Sequence, residues 1–281
     1  MKCFYHGCDF DGKCSAAIVK LQHPSCELIP VNYGEKFPWE LIEKDEVIFM
    51  VDFTVQPYTD MWRLKDLCRL TWIDHHKTSI DWAKEAVFYV EGLRATDLAA
   101  CELTWMYFAA PNVAMPEAVK LLGRYDVWDH KDDRVLPFQY GMKCLAEPPD
   151  NMKWWDMLLQ DRAPVSVGNV ISVGRFCQEY QEKQDVYTCK SSGFDLEWEG
   201  LRWTVINGPS RGSSVHKSRF DPFAHDAMLG FWWNGKQWIF SLTTSKDIDL
   251  SAIAKKYGGG GHKQAAGFEA AELPFSFGKK D

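Results

Sequence analysis

The stretch RLTWIDHHKTS, residues 69–79, decides how the first half of the chain is read. A short, mostly apolar run ends on one acid and two imidazoles, Asp74, His75 and His76. Short apolar runs of this kind mark strands buried on both faces, as in parallel sheets. Polar residues crowded at the carboxyl end of such a strand stand where α/β sheets hold their ligands. The segments on either side repeat the pattern. KCFYHG (2–7) reads as a strand and GKCSAAIVKLQ (12–22) as a helix, then CELIPVNYG (26–34) as a second strand. PWELIEK (38–44) predicts a short helix, EVIFMVDF (46–53) a buried strand and TDMWRLKDLC (59–68) a helix. ATDLAACELTWMYFAA (95–110) predicts a long helix with one apolar face. Strands alternating with helices imply an α/β fold around a mostly parallel sheet.

Acids and imidazoles gather at three of these strand ends: HGCDFDG (6–12), the VDF that closes 46–53, and IDHH. Asp9 and Asp11, two residues apart in a strand-to-helix turn, can reach two different cations. Two divalent ions about 4 Å apart polarise a phosphoryl oxygen and lower the pKa of a bridging water. Such a pair needs a bridging carboxylate plus oxygen and imidazole ligands, the set preferred by Mn²⁺ and Mg²⁺. Asp52 suits the bridge, and His6 lies in the first of the three clusters. His75 or His76 offers an imidazole, and Asp126 in LLGRYDVWDH (121–130) another carboxylate, with Asp129 competing for the same role. Taken singly, each residue also has a structural use: Asp9 or Asp11 as a helix N-cap, a lone histidine as a hydrogen-bonded surface or core residue. Convergence of all three clusters is what favours a metal centre.

Composition narrows the class. The chain has 281 residues, enough for about two domains. Hydrophobic residues make up 46% and charged residues 25%, values of an ordinary globular protein. No apolar run reaches the ~18 residues of a membrane span, and MKCFYHGCDF lacks the apolar centre of a signal peptide. A cytoplasmic type of protein with no membrane partner is expected. The nine cysteines are scattered and never form C-x-x-C, so neither a disulfide framework nor a zinc site is signalled. A formal charge of −7 argues against long duplex nucleic acid, whose binding leans on many cation–phosphate contacts. Beyond about residue 125 the pattern is irregular, with a helix over 168–184. From about 195 it turns β-like in LRWTVING (201–208), DAMLGFWWNG (226–235) and QWIFSLTTS (237–245). A helix SAIAKKY (251–257) and a glycine run follow.

With these residues in place, the chain resembles the DHH phosphoesterase superfamily, whose name is the tripeptide at Asp74-His75-His76. GGGGHKQAAGF (258–268) resembles the glycine-rich signature of the DHH-associated C-terminal domain, in the expected order. The resemblance implies a catalytic domain over 1–150, a connecting helical segment over 151–194 and a smaller α/β substrate-binding domain over 195–281, with the catalytic cleft between the domains. It implies a phosphoric diester hydrolase with two divalent ions, usually Mn²⁺. His6 and Asp9 would hold one ion, Asp11, His75 and Asp126 the other, and Asp52 would bridge. Asp74 would orient a histidine through its ring N–H, and His76 would face the phosphate.

Gly259, Gly260 and Gly261 would let backbone N–H groups approach an anion, and His262 would add a donor. Relatives often carry an arginine in the strand before this motif, where SLTTS (241–245) has none. A substitute is sought in 202–219, which holds Arg202, Arg211, Lys217 and Arg219 without an acid; Arg211, flanked by Ser and Gly, is the first choice. The thirteen tryptophans offer stacking surfaces for bases. The closest likeness is to the small oligoribonuclease (nanoRNase) and cyclic-nucleotide phosphodiesterase branch. The expected substrate is a short oligonucleotide or linear dinucleotide. Cyclic mono- or dinucleotides are the alternative, and a catalytically silent nucleotide-binding sensor is the alternative of another class. A homodimer is left open.

Overall fold

The computed structural model describes residues 1–110, 112–208 and 213–276. The chain forms two compact units, Met1–Gln178 and Glu179–Asp281. No helix of the described residues is long and apolar enough to cross a membrane.

In the first unit, strands β1 (Lys2–His6), β2 (Glu27–Val31), β3 (Val47–Val51) and β4 (Arg69–Ile73) make an all-parallel sheet in the order β2-β1-β3-β4. Burial on both faces explains the continuous apolar runs. Phe4, Ile48, Met50 and Trp72 face helices α2 (Asp60–Leu67) and α3 (Lys77–Glu85), meeting Met61, Leu64 and Ala83. Cys3, Tyr5, Phe49, Val51 and Ile73 point the other way, toward Ala16 and Val19 of α1 (Phe10–Gln22) and Leu103 of α4 (Ala100–Phe108). Each large apolar side chain buried this way contributes about 1.5–3 kcal/mol, so the sheet is clamped from both sides.

Two differences from the sequence reading have physical causes. The helix expected over 95–110 begins only at Ala100, because residues 91–94 run beside β4: the Trp72 and Asp74 N–H groups donate to the Glu91 and Leu93 carbonyls. The stretch beyond residue 125, which read as irregular, contains α6 (Val135–Leu145) and α7 (Met152–Leu159), following α5 (Glu117–Asp126). Pro137 sits in the first turn of α6, where a missing N–H is tolerated. Trp154 and Trp155 are core residues of an all-helical cluster with α1, α4 and α5.

The long helix α8 (Val167–Ser192) carries the chain into the second unit. There, β5 (Gly193–Trp198), β6 (Leu201–Asn207), β7 (Ala227–Trp233), β8 (Trp238–Thr243), β9 (Gly260–His262) and β10 (Ala265–Ala270) form a mixed sheet in the order β5-β6-β7-β8-β10-β9. Helix α9 (Leu250–Lys256) packs Leu250, Ile253 and Ala254 against Trp203, Leu229, Phe240 and Phe268. Both units are thus α/β, with the parallel sheet in the first.

The β1–α1 turn is tight. A Cβ on Gly12 would stand 2.1 Å from the His6 carbonyl oxygen. Gly12→Ala is expected to cost about 1–3 kcal/mol by overpacking, seen as a lower urea midpoint at unchanged m-value.

Candidate metal centre

The strand order places the site. β1 leads by way of α1 to β2 on one side, while β3 lies on the other, so the sheet's topological switch falls between the carboxyl ends of β1 and β3. The registers Tyr5↔Val51 and Val51↔Ile73 put His6, Asp52 and Asp74 at the next level of three adjacent strands, about 4.8 Å apart. Asp52 has φ +56°, the left-handed region that aspartate tolerates better than most residues. Its N–H stays tied to the Ile73 carbonyl at 2.9 Å.

Seven of the residues singled out in the sequence gather here. His6 Nδ1 lies 2.8 Å from Asp9 Oδ2 and 3.6 Å from Asp52 Oδ2. His75 Nε2 lies 3.3 Å from both Asp52 Oδ1 and Asp126 Oδ2, and 3.6 Å from Asp11 Oδ2. His76 Nδ1 lies 3.9 Å from Asp52 Oδ1. Three groups have ligand atoms within 4.8 Å of one another: His6, Asp9 and Asp52; Asp11, His75 and Asp126; Asp52, His75 and His76. Asp129 belongs to none of these groups among the described residues.

Two of the acids also serve the fold. Asp9 is the N-cap of α1, its Oδ1 accepting from the Gly12 N–H at 2.9 Å. Asp11 accepts from the Ala100 and Cys101 N–H groups at 2.9 and 2.7 Å, and so caps α4 from another helix. A carboxylate has about four lone-pair positions, so a capping role leaves room for a cation.

Asp52 is different. It is 1% exposed, and neither carboxylate oxygen has a hydrogen-bond donor. A buried carboxylate without donors is costly, and imidazoles standing off at 3.3–3.9 Å do not replace them. Oxygen and imidazole atoms converging on an undonated carboxylate are a set that divalent cations fit.

The charges of the metal-free cluster shift accordingly. The neighbouring Asp52 and Asp9 carboxylates push His6 up to about 10, against the lowering effect of burial. Burial works to lower His75, yet the Asp52, Asp11 and Asp126 carboxylates carry it up to about 9. Asp126 rises to about 6, chiefly through burial, with Asp52 and Asp9 adding repulsion. Burial and the charges of Asp52 and Asp126 raise Asp11 well above the carboxylate range. Without a metal, the two histidines thus favour their protonated forms.

Asp74 does not join the ligand groups. It is fully buried and accepts from Thr54 Oγ1 (2.5 Å), Trp72 Nε1 (3.2 Å), the His75 and His76 N–H groups (2.8 and 3.1 Å) and His76 Nδ1 (2.7 Å). With Nδ1 turned to Asp74, the other ring nitrogen of His76 is left for a ligand. Tyr33 was not singled out in the sequence. Its ring packs edge-on to those of His6 and His76 at 5.5 and 5.7 Å, and its hydroxyl accepts from the Thr54 N–H. Tyr33, Thr54 and Trp72 carry no motif; their parts depend on tertiary contacts alone.

In the second unit, the glycine run forms a hairpin. Gly260–His262 pairs with β10, a Cβ on Gly259 would meet the Gly267 carbonyl at 2.1 Å, and Gly261 has φ +135°. At Gly259 and Gly261, glycine therefore has a structural reason of its own. His262 is exposed. Two of the cations in 202–219 are already paired, Arg202 with Asp226 at 3.2 Å and Arg219 with Asp195 at 2.9 Å. Lys217 is exposed. Arg211 lies outside the described residues.

No family model matches the chain. It is 22% identical over 247 residues to Uncharacterized protein R106 of Acanthamoeba polyphaga mimivirus, a match covering 83% of this chain and 56% of that protein. The chain thus spans little more than half the length of that relative. Among solved structures it is similar to PggH, a pGpG-specific phosphodiesterase from Vibrio cholerae, with TM-score 0.59 and 12% identity over 96% of this chain and 93% of that one. It is also similar to the DHH domain of a member of the S1p family of ribosomal proteins, with TM-score 0.58 and 13% identity over 96% and 82% of the two chains. The fold is that of the DHH proteins.

Asp74 is held below the usual carboxylate range: burial pushes upward, but the His76 imidazole, the Thr54 hydroxyl and the His76 N–H outweigh it. Its stabilising effect is therefore present above about pH 4 and lost as pH falls lower. Asp74→Asn is expected to cost at least about 2 kcal/mol at pH 7, and the gap to the parent should narrow below pH ~4. Urea unfolding at both pH values measures this; an equal gap at both would assign the loss to shape rather than charge.

Proposed function

We propose that this chain is a metal-dependent phosphodiesterase of the DHH type, acting on short oligonucleotides or linear dinucleotides. The observation that carries this reading is Asp52, buried and undonated where His6 and Asp9 on one side meet His75, Asp11 and Asp126 on the other. In this reading His6 and Asp9 hold one divalent ion, Asp11, His75 and Asp126 the second, and Asp52 is shared. No thiol belongs to these groups, and an oxygen-and-imidazole set suits Mn²⁺ or Mg²⁺. The ions would supply Lewis-acid polarisation of a phosphoryl oxygen and a lowered pKa for an attacking water.

The remaining work falls to side chains. Asp74 fixes the His76 ring through Nδ1, so that the opposite nitrogen can donate to a phosphoryl oxygen or to the departing one. Burial lowers His76, while the neighbouring Asp74 and Asp52 carboxylates raise it, and the net shift is upward, toward the protonated donor. A terminal phosphate would be held in the second unit by the Gly259–Gly261 backbone, His262 and Arg211. The pGpG specificity in the name of the similar structure and the net charge of −7 both favour a short anion over long duplexes.

A Mn²⁺-supplemented hydrolysis screen over pGpG, short RNAs and cyclic nucleotides, with products identified, tests the reading. Asp52→Asn should lose more than the ~100-fold typical of an outer partner of a metal site; undiminished turnover would remove the assignment. Nucleotide binding without hydrolysis would point instead to a sensor.

Metal binding should also be coupled to protons. With His6 raised to about 10 and His75 to about 9, both are protonated in the metal-free chain at pH 7 and must release protons to become ligands. Affinity for Mn²⁺ should rise with pH up to about 9–10. Calorimetry in buffers of different ionisation enthalpy reads the protons released; none at pH 7 would contradict histidine ligation.

A further inference from the structure

Helices α6 and α8 carry the same short pattern, Gly141-Met142-Lys143-Cys144 and Gly174-Arg175-Phe176-Cys177. At the glycines the two backbones touch. A Cβ on Gly141 would lie 2.1 Å from the Val170 carbonyl oxygen, and one on Gly174 would lie 1.7 Å from that of Pro137 and 2.6 Å from the Gly141 nitrogen. Pro137 is one turn before Gly141, and Val170 is one turn before Gly174. Each cysteine lies three residues beyond its glycine, and Cys177 is the thiol that neighbours Cys144, so the two cysteines leave the crossing on the same side.

Both thiols are free, Cys144 exposed and Cys177 half-buried. They are in contact: the hydrogen bond with Cys177 is the largest influence pushing the Cys144 thiol up to about 11. Two other pairs of neighbouring cysteines, Cys14 with Cys101 and Cys3 with Cys26, have no exposed surface. A dissolved oxidant can reach the α6–α8 pair and not these.

We propose that Cys144 and Cys177 are a redox-modification site that closes reversibly into a disulfide stapling α6 to α8. The proposal does not depend on the phosphodiesterase reading. The oxidant is a low-molecular-weight disulfide such as oxidised glutathione. One protein thiol, as thiolate, attacks it to form a mixed disulfide and releases one reduced thiol. The second protein thiolate then attacks the protein sulfur and releases the other. Two protein thiols become one disulfide, and their protons end on two molecules of reduced glutathione. Because the thiolate is the attacking species, closure accelerates as pH rises. The bond ties α8 to α6 immediately before the chain passes into the second unit, and in the unfolded chain it closes a loop of roughly 30 residues.

The test incubates the full chain in mixtures of oxidised and reduced glutathione, quenches with an alkylating agent and maps peptides by mass. The expected product joins the Cys144 and Cys177 peptides with the loss of two hydrogens. It should raise Tm by about 5–10 °C, an effect reversed by dithiothreitol. Cys144→Ser and Cys177→Ser should each abolish both the linkage and the rise, with little change in the reduced Tm. Exposed Cys8 serves as the internal control for reactivity. If Cys8 is modified while Cys144 and Cys177 stay unlinked, as separate adducts or alkylated thiols, the proposal is overturned. A Tm rise that persists in Cys144→Ser overturns it equally.

Discussion

The first unit is organised around a carboxylate that its own protein atoms do not satisfy. Asp52 sits at 1% exposure, in a left-handed backbone conformation, with no donor on either oxygen. Undonated buried charge and a strained backbone each cost free energy. Neither persists unless the surroundings hold them in place. Strand β3 supplies that hold, paired on both sides and packed on both faces. The strain is thus localised at one residue of an otherwise well-packed strand, a pattern that points to binding rather than to a defect.

Structural and proposed chemical uses coincide in the acids around it. Asp9 caps α1 and Asp11 caps α4, so removing either loosens a helix as well as the cluster. A cap bond does not exclude the proposed ligand role, because a carboxylate that accepts one or two N–H groups keeps further lone pairs. Asp74 is the limiting case. Five hydrogen bonds occupy it, and its effect on the site passes wholly through His76 and the backbone beside it.

What could be read from the sequence follows from which forces are local. The parallel strands were legible because burial on both faces writes unbroken apolar runs, and the strand-end acids because their position follows from the strands. The start of α4 was not, because residues 91–94 are drawn to the edge of β4 by hydrogen bonds to Trp72 and Asp74 far back in the chain. Helices α6 and α7 were hidden by Pro137, Pro148 and Pro149, and by tryptophans whose spacing reflects a core rather than a loop. Tyr33 and Thr54 had no signal of their own. The glycine run was legible as a motif but not as a hairpin, since the contact that demands Gly259 comes from Gly267 on the facing strand.

The cluster also raises a problem of charge. Asp9, Asp11, Asp52 and Asp126 would by themselves repel the anionic substrate that the proposed activity requires. Part of that field is offset by the fold itself, because the first turns of α1, α3 and α4 all begin at this cluster, marked by Asp9, His76 and the Ala100 and Cys101 N–H groups. Helix N-termini carry partial positive charge that stabilises carboxylates and phosphates alike. Protons on His6 and His75 in the metal-free chain offset a further part. Exchanging those protons for divalent ions adds positive charge without adding bulk to the protein, and that exchange would turn a site that repels phosphate into one that attracts it.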